Sequence, residues 1–224
     1  MQISESMKKV YFISGLAADR RVFKHIRLPE GYEAVHLDWI DPERGESLAC
    51  YAMRLAGSIE RDQPFILVGL SMGGMIATEI ARELKPSALI LLSSVPLSGH
   101  LPGYFRVAAA LRLHKIVPIK LVKASAKMKR LFTVETSEDK KMLRQIIQES
   151  DDRFIRWAMG AILKWRNTEL PAAYTHIHGT RDEVLPVRYT QPTHIIQKAG
   201  HLLVMTNARE VNRIIAEALQ KVAV

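Results

Sequence analysis

The sequence has very little cysteine, since Cys50 is the single cysteine among 224 residues. One cysteine cannot form an intrachain disulfide and cannot supply the thiolates of a cysteine-based zinc site. The composition therefore predicts a protein of a reducing compartment, and we expect a cytoplasmic location rather than secretion. Because Cys50 falls within a helical pattern, we expect it to be a small packed residue.

Long apolar runs are also missing, because no stretch approaches the roughly 18 to 20 residues that a membrane-spanning helix needs. Lys8 and Lys9, followed by the apolar run 10–18, imitate the start of a secretory signal. That run is short and is closed by the charged residues 19–21. We therefore expect a buried strand here rather than a signal peptide.

The overall composition is that of a globular protein. Hydrophobic residues make up 48% of the chain and charged residues 25%, which excludes disorder, collagen and coiled coil as the main state. A chain of 224 residues can build one large core, so a single domain is expected.

Short apolar segments alternate with amphipathic helical patterns along most of the chain. Segments 65–70 and 88–92 are almost entirely apolar, which is typical of strands buried on both faces of a parallel sheet. Further strands are predicted at 10–14, 34–38, 173–178 and 193–197, and helices at 46–62, at 75–84 and near the C-terminus, where Val211, Ile214, Ile215 and Ala218 share one face. The sequence therefore predicts an α/β fold with a mainly parallel sheet and helices on both faces.

The alternation stops between residues 100 and 166, where helical patterns occur without a convincing strand. The simplest interpretation is a helical insertion at 100–166 within a core formed by residues 1–99 and 167–224.

One motif carries a specific chemical prediction. Residues 69–73 read Gly-Leu-Ser-Met-Gly, a G-x-S-x-G pattern between an apolar strand and a helix. A sharp strand-to-helix turn crowds the residues two before and two after the serine, and it exposes the hydroxyl above the sheet edge. Ser71 is therefore the candidate nucleophile; the alternative is an ordinary glycine-rich turn.

A serine nucleophile needs a base, and the base needs an acid that fixes its tautomer. Asp182 follows the predicted strand 173–178, and His201 follows the next strand along the chain. Both lie where loops leave the carboxyl ends of strands, so we expect them to meet Ser71. Glu183 is the rival acid. His178, at the end of its strand, is expected to be a packed residue rather than a second base.

With these residues the chain resembles the α/β-hydrolase superfamily. The G-x-S-x-G, H-G-x-x-D and G-H-L motifs each follow a predicted strand in the family's order, and the resemblance spans nearly the whole chain. It implies a nucleophile at Ser71, an acid at Asp182 and a base at His201. It also implies that residues 100–166 are the cap that such enzymes insert over the pocket.

The resemblance further implies an oxyanion hole formed by the backbone N–H groups of Leu16 and Met72. Many family members have His-Gly in the early loop, where this chain has Ser14 and Gly15. The donors are main-chain groups, so this departure weakens the resemblance more than it weakens the mechanism. A second departure is that few residues precede Val10, so the antiparallel strands that open many members are expected to be missing.

The positive charge of the chain is concentrated in the insertion. Residues 101–166 hold 15 Lys and Arg against 6 Asp and Glu, an excess that equals the net charge of +9. Within it Lys120, Lys123, Lys127 and Arg130 have the spacing of one helical face. The ordinary interpretation is a solvated face; the functional one is a surface for an acidic acyl carrier, a coenzyme A thioester or an anionic membrane. Few aromatics accompany the charge, so no nucleic-acid partner is expected.

These observations predict a serine hydrolase that cleaves an ester or thioester of a small or medium acyl group. This mechanism requires no cofactor and no metal. The remaining histidines also show no metal-ligand spacing: His25, His36, His100, His114, His176 and His194. Lyases, acyltransferases and carbon-carbon hydrolases keep the same three residues, so the reaction class stays open. The alternative from another class is a ligand receptor or partner-binding module without turnover.

Overall fold

The computed structural model describes residues 7–126 and 136–221. The strands are β1 (Lys8–Ile13), β2 (Tyr32–His36), β3 (Ile66–Leu70), β4 (Ala88–Leu92), β5 (Thr175–Gly179) and β6 (His194–Ile196). The helices are α1 (Leu48–Leu55), α2 (Met72–Leu84), α3 (Gly103–Ala110), α4 (Leu113–Ile116), α5 (Ile119–Ala126), α6 (Ser137–Glu149), α7 (Asp152–Lys164), α8 (Leu203–Thr206) and α9 (Ala208–Gln220).

The six strands form one sheet in the order β2-β1-β3-β4-β5-β6, and every neighbouring pair is parallel. The predicted α/β fold with a parallel sheet is therefore confirmed. Because all strands point the same way, their carboxyl ends lie along one edge. The loops that carry Ser71, Asp182 and His201 all leave the sheet at that edge.

Helices cover both faces of the sheet, and alternate strand residues point to each. On β1, Val10 and Phe12 face the layer formed by α6, α8 and α9, whereas Tyr11 and Ile13 face α1, α2 and α7. A large aliphatic side chain contributes about 1.5–3 kcal/mol when fully buried. The two cores thus support the sheet beneath the edge where the loops meet.

The predicted element boundaries differ from the structure by a few residues. The strand predicted at 34–38 is β2 at Tyr32–His36, because β2 takes its register from β1, where Lys8 pairs with Tyr32. The helix predicted at 46–62 is shorter: α1 ends at Leu55, and the chain passes into a single 3-10 turn at Ala56–Ser58.

The packed environment predicted for Cys50 is wrong. Helix α1 buries a stripe made of Leu48, Tyr51, Ala52 and Leu55. A residue two positions after Leu48 lies on the opposite side of the helix, so the thiol of Cys50 is exposed.

Between β4 and β5 the described residues form only helical elements and the loops that join them, from α3 to α7. No helix in the described part of the chain is long and apolar enough to cross a membrane.

Candidate active site

Ser71 occupies the sharp turn between β3 and α2. Its backbone angles are φ 53° and ψ −119°, a conformation that a non-glycine residue rarely adopts. Four hydrogen bonds hold the turn. Ser71 N–H donates to Leu92 O, while Ser71 O accepts from the N–H groups of Gly74 and Met75 and from the hydroxyl of Ser94. Strained backbone fixed in this way is typical of functional sites.

Both glycines of the motif are required by close backbone contacts. A Cβ at Gly69 would lie 2.4 Å from Gly73 O, and a Cβ at Gly73 would lie 2.2 Å from the carbonyl oxygens of Ile13 and Ser14. Helix α2 therefore begins in direct contact with the end of β1. A side chain at either position would push the turn away from the sheet.

The structure brings the three candidate residues together. His201 Nε2 lies 2.9 Å from Ser71 Oγ, and His201 Nδ1 lies 2.8 Å from Asp182 Oδ2. Ser71 is partly exposed, whereas His201 and Asp182 are buried. In this arrangement the imidazole can donate its Nδ1–H to the carboxylate and accept the hydroxyl proton at Nε2.

Asp182 accepts hydrogen bonds on both carboxylate oxygens. Oδ1 accepts from the N–H groups of Val184 and Leu185, each at 2.9 Å. Burial by itself would raise the pKa of Asp182, but the electrostatic attraction of His201 and the hydrogen bonds from His178 and His201 outweigh it, so the pKa is lowered. Asp182 is therefore ionised at neutral pH. Glu183, the rival acid, is exposed.

A second histidine, which the sequence analysis did not assign to the site, also contacts Asp182. His178 is fully buried at the end of β5, as expected of a packed residue, and its Nε2 lies 3.2 Å from Asp182 Oδ2. The signal was present in the H-G-x-x-D spacing, which sets His178 four residues before the acid. The spacing alone could not reveal that the chain turns back and brings the two side chains together.

The early loop lies against Ser71. A Cβ at Gly15 would lie 3.3 Å from Ser71 Cβ, so the loop after β1 passes directly beside the nucleophile candidate. Leu16 follows in this loop, and Met72 is the first residue of α2, whose N–H has no partner within the helix. Among the described residues, neither amide donates a hydrogen bond. Both are thus available to a ligand near Ser71.

A cavity of about 230 Å³ opens on Ser71 and His201. No Asp, Glu, Lys or Arg is among the described residues that line it. Five of the lining residues come from α3, α5, α6 and α7: Phe105, Val122, Leu143, Ile147 and Ile162. The part of the lining that the structure describes is therefore apolar apart from the serine, the imidazole and backbone groups.

The predicted basic helical face is only partly described. Lys120 is exposed, but Lys123 donates to Ser150 O at 2.6 Å and lies 2.6 Å from Asp152 Oδ1. Lys127 and Arg130 lie outside the described residues. Lys123 thus stabilises the contact of α5 with the start of α7.

The described residues include no group of three or more His, Cys, Asp or Glu side chains that could hold a metal ion.

Comparison with known proteins finds a family that matches most of the chain. A family model described as "Alpha/beta hydrolase family" matches residues 10–214. No curated protein matches the chain.

Solved structures that resemble this one share little of its sequence. A thermophilic esterase from Thermogutta terrifontis is 20% identical, with 96% of this chain and 90% of that chain covered and a TM-score of 0.71. MenH from S. aureus is 17% identical, with 99% and 97% covered and a TM-score of 0.76. An enol-lactonase from Burkholderia xenovorans is 13% identical, with 95% and 91% covered and a TM-score of 0.71. At these identities the likeness concerns the fold.

Proposed function

The chain belongs to the alpha/beta hydrolase family, and on that premise we propose that it is a serine hydrolase that cleaves carboxylic esters or thioesters. The observation that carries the proposal is the continuous hydrogen-bonded series Ser71–His201–Asp182, with 2.9 Å and 2.8 Å between the facing atoms. Such a series gives a serine hydroxyl the base that it needs at neutral pH.

In the proposed reaction Ser71 Oγ attacks the carbonyl carbon while His201 Nε2 accepts the hydroxyl proton. The amides of Leu16 and Met72 stabilise the negative oxygen of the tetrahedral intermediate. His201 then donates the proton to the departing alcohol or thiol, which leaves an acyl ester on Ser71. Water, deprotonated by His201, releases the acid and restores Ser71. Asp182 keeps His201 in the required tautomer throughout.

We propose that residues 100–166 act as a cap over a core made of 1–99 and 167–224. The helices of this segment supply five of the residues that line the cavity, all apolar. A cap of this kind excludes water from the bound acyl group, which strengthens the interactions with the developing oxyanion.

The exposed thiol of Cys50 supports the cytoplasmic location expected from composition.

We take the substrate to be a small molecule. An acidic acyl carrier or an anionic membrane would need free cations on the basic helix face, and Lys123 is not one of them, because it is paired with Asp152. The lining and size of the cavity favour a short, uncharged acyl group, since about 230 Å³ is below the roughly 300–1,000 Å³ of pockets that enclose drug-sized ligands.

Acyl-chain length tests this proposal. We expect kcat/KM for p-nitrophenyl esters to rise from acetate to butanoate or hexanoate, by up to about fourfold per methylene, because burial of one CH₂ contributes about 0.8 kcal/mol. Once the cavity is full, further methylenes must displace packed side chains at a cost of about 1–3 kcal/mol, so palmitate should be at least about tenfold poorer than the optimum. Initial rates across the series measure the profile.

The matched comparison is an ester whose acyl chain has the same length as the optimum but ends in a carboxylate. An ionised carboxylate is costly in a cavity lined by apolar groups, so we expect kcat/KM to fall about 100-fold or more. Equal rates on the neutral and anionic esters would contradict the proposed apolar acyl site.

A further inference from the structure

We propose that His178 is a positioning residue, which holds the Asp182 carboxylate in the orientation that His201 requires. This inference rests on the proposed function, because it assigns His178 a role in the same reaction. His178 Nε2 lies 3.2 Å from Asp182 Oδ2, the oxygen that also faces His201 Nδ1. One carboxylate oxygen is thus shared by two histidines.

The proton on His178 is assigned by its neighbours. Nε2 lies 2.7 Å from Leu185 O as well as 3.2 Å from Asp182 Oδ2, and both of these atoms are acceptors. Nε2 must therefore carry the hydrogen, which it shares between the two oxygens. His178 is in this way a donor to Asp182 and cannot act as a base at that nitrogen.

A third histidine supports His178 from the other side. His176 Nε2 lies 3.0 Å from His178 Nδ1, and both rings are fully buried. Burial and the nearby His178 lower the pKa of His176 to about 3, so His176 is neutral and carries one ring proton. With that proton on Nε2, His176 donates to His178 Nδ1 and fixes the orientation of the His178 ring.

The backbone around His178 and Asp182 restricts the positions of these two side chains. Leu185 donates its N–H to Asp182 Oδ1 and accepts from His178 Nε2 through its carbonyl. The loop from Asp182 to Leu185 is therefore bound at both ends to the same histidine. A Cβ at Gly179 would lie 2.3 Å from Ala199 O, so the end of β5 also contacts the loop that leads to His201.

His178 does not line the cavity, so a positioning role predicts an effect on kcat rather than on KM. Asp182 accepts four hydrogen bonds in all. Without the His178 donor it loses one of them, at Oδ2, the oxygen that faces His201. A small displacement of a catalytic group can reduce the rate about 100-fold. The loss should fall on the chemical steps, while the binding of the ester through the apolar lining stays the same.

The test compares His178→Leu with His178→Gln in p-nitrophenyl butanoate hydrolysis. Leucine has a similar volume and no donor, whereas glutamine can present its Nε2 near the histidine Nε2 position. We expect His178→Leu to lower kcat by about 10- to 100-fold with KM within about twofold of wild type. We expect His178→Gln to recover kcat to within about fivefold of wild type. His194→Gln, at a histidine whose ring contacts Thr193 Oγ1 and not Asp182, serves as the control and should behave as wild type.

A spectroscopic measurement separates positioning from a general structural effect. The most downfield imidazole proton in the NMR spectrum is assigned to His201 Nδ1–H by its disappearance in His201→Gln. We expect this resonance to move or broaden in His178→Leu and to stay in place in His178→Gln. An unmoved resonance together with wild-type kcat in folded His178→Leu would overturn the inference.

If His178→Leu does not fold, His178→Asn replaces it, because the Asn amide ends near the Nδ1 position and cannot reach Asp182 Oδ2. The inference then requires Asn to be impaired and Gln to be active, and equal kcat values for the two would overturn it. Its failure is distinguishable from that of the proposed function: wild-type turnover of the ester tests the function, and the variants test only His178.

Discussion

Ser71→Ala should lower kcat for p-nitrophenyl butanoate by at least about 10⁴-fold. The reason is that removing any one residue of such a hydrogen-bonded catalytic series removes most of its rate enhancement. The hydrogen bond of the Ser71 hydroxyl is to His201 Nε2, and the side chain does not cap α2. Alanine meets the same backbone strain as serine at φ 53°, so the fold and the melting temperature should not change. Steady-state rates and a thermal melt of the purified variant measure both expectations.

Ser98→Ala is the matched control for this experiment. Its hydroxyl donates to Asn167 O and Ser98 does not line the cavity, so its removal should leave kcat within about twofold of wild type. Wild-type turnover by a clean preparation of Ser71→Ala would end the proposed mechanism.

Asp182→Asn should lower kcat by about 10⁴-fold, the size of effect seen when a catalytic aspartate can no longer fix the histidine tautomer. All four groups that face the carboxylate are donors: the N–H groups of Val184 and Leu185, His178 Nε2 and His201 Nδ1. The NH₂ of asparagine must therefore oppose a donor. If it faces His201, the imidazole is driven to the tautomer that cannot accept the proton of Ser71.

Glu183→Gln is the neighbouring control, since it removes an exposed carboxylate from the same loop. We expect it to keep wild-type kcat within about threefold. The opposite pattern, with Glu183→Gln inactive and Asp182→Asn active, would transfer the acid role to Glu183.

The parallel sheet could be predicted because its strands are short apolar segments with sharp ends. The segment 65–70 is apolar on both faces, and the structure buries all of β3. The pentapeptide around Ser71 was equally informative, because the close contacts of Gly69 and Gly73 with the backbone allow no side chain. The motif could be recognised because its five residues are adjacent in the sequence, although the backbone that Gly73 contacts belongs to the distant end of β1.

Other features depend on contacts between distant parts of the chain. The role of His178 follows from the fold of the loop between Asp182 and Leu185, which no periodicity describes. Lys123 fitted a basic helix face, yet its partner Asp152 lies 29 positions away on another helix. The cavity lining likewise combines residues from four helices of the segment between β4 and β5. Spacing predicts faces, but it does not predict what packs against them.

The most direct test of the central claim is the site at which a fluorophosphonate probe modifies the protein. Such probes form a stable bond only with an activated serine, so the label reports the nucleophile without any assumption about the substrate. Intact-mass and peptide analysis should find one label per chain, on Ser71, and no label on Ser71→Ala. An unlabelled wild-type protein, or a label on a different serine, would contradict the account.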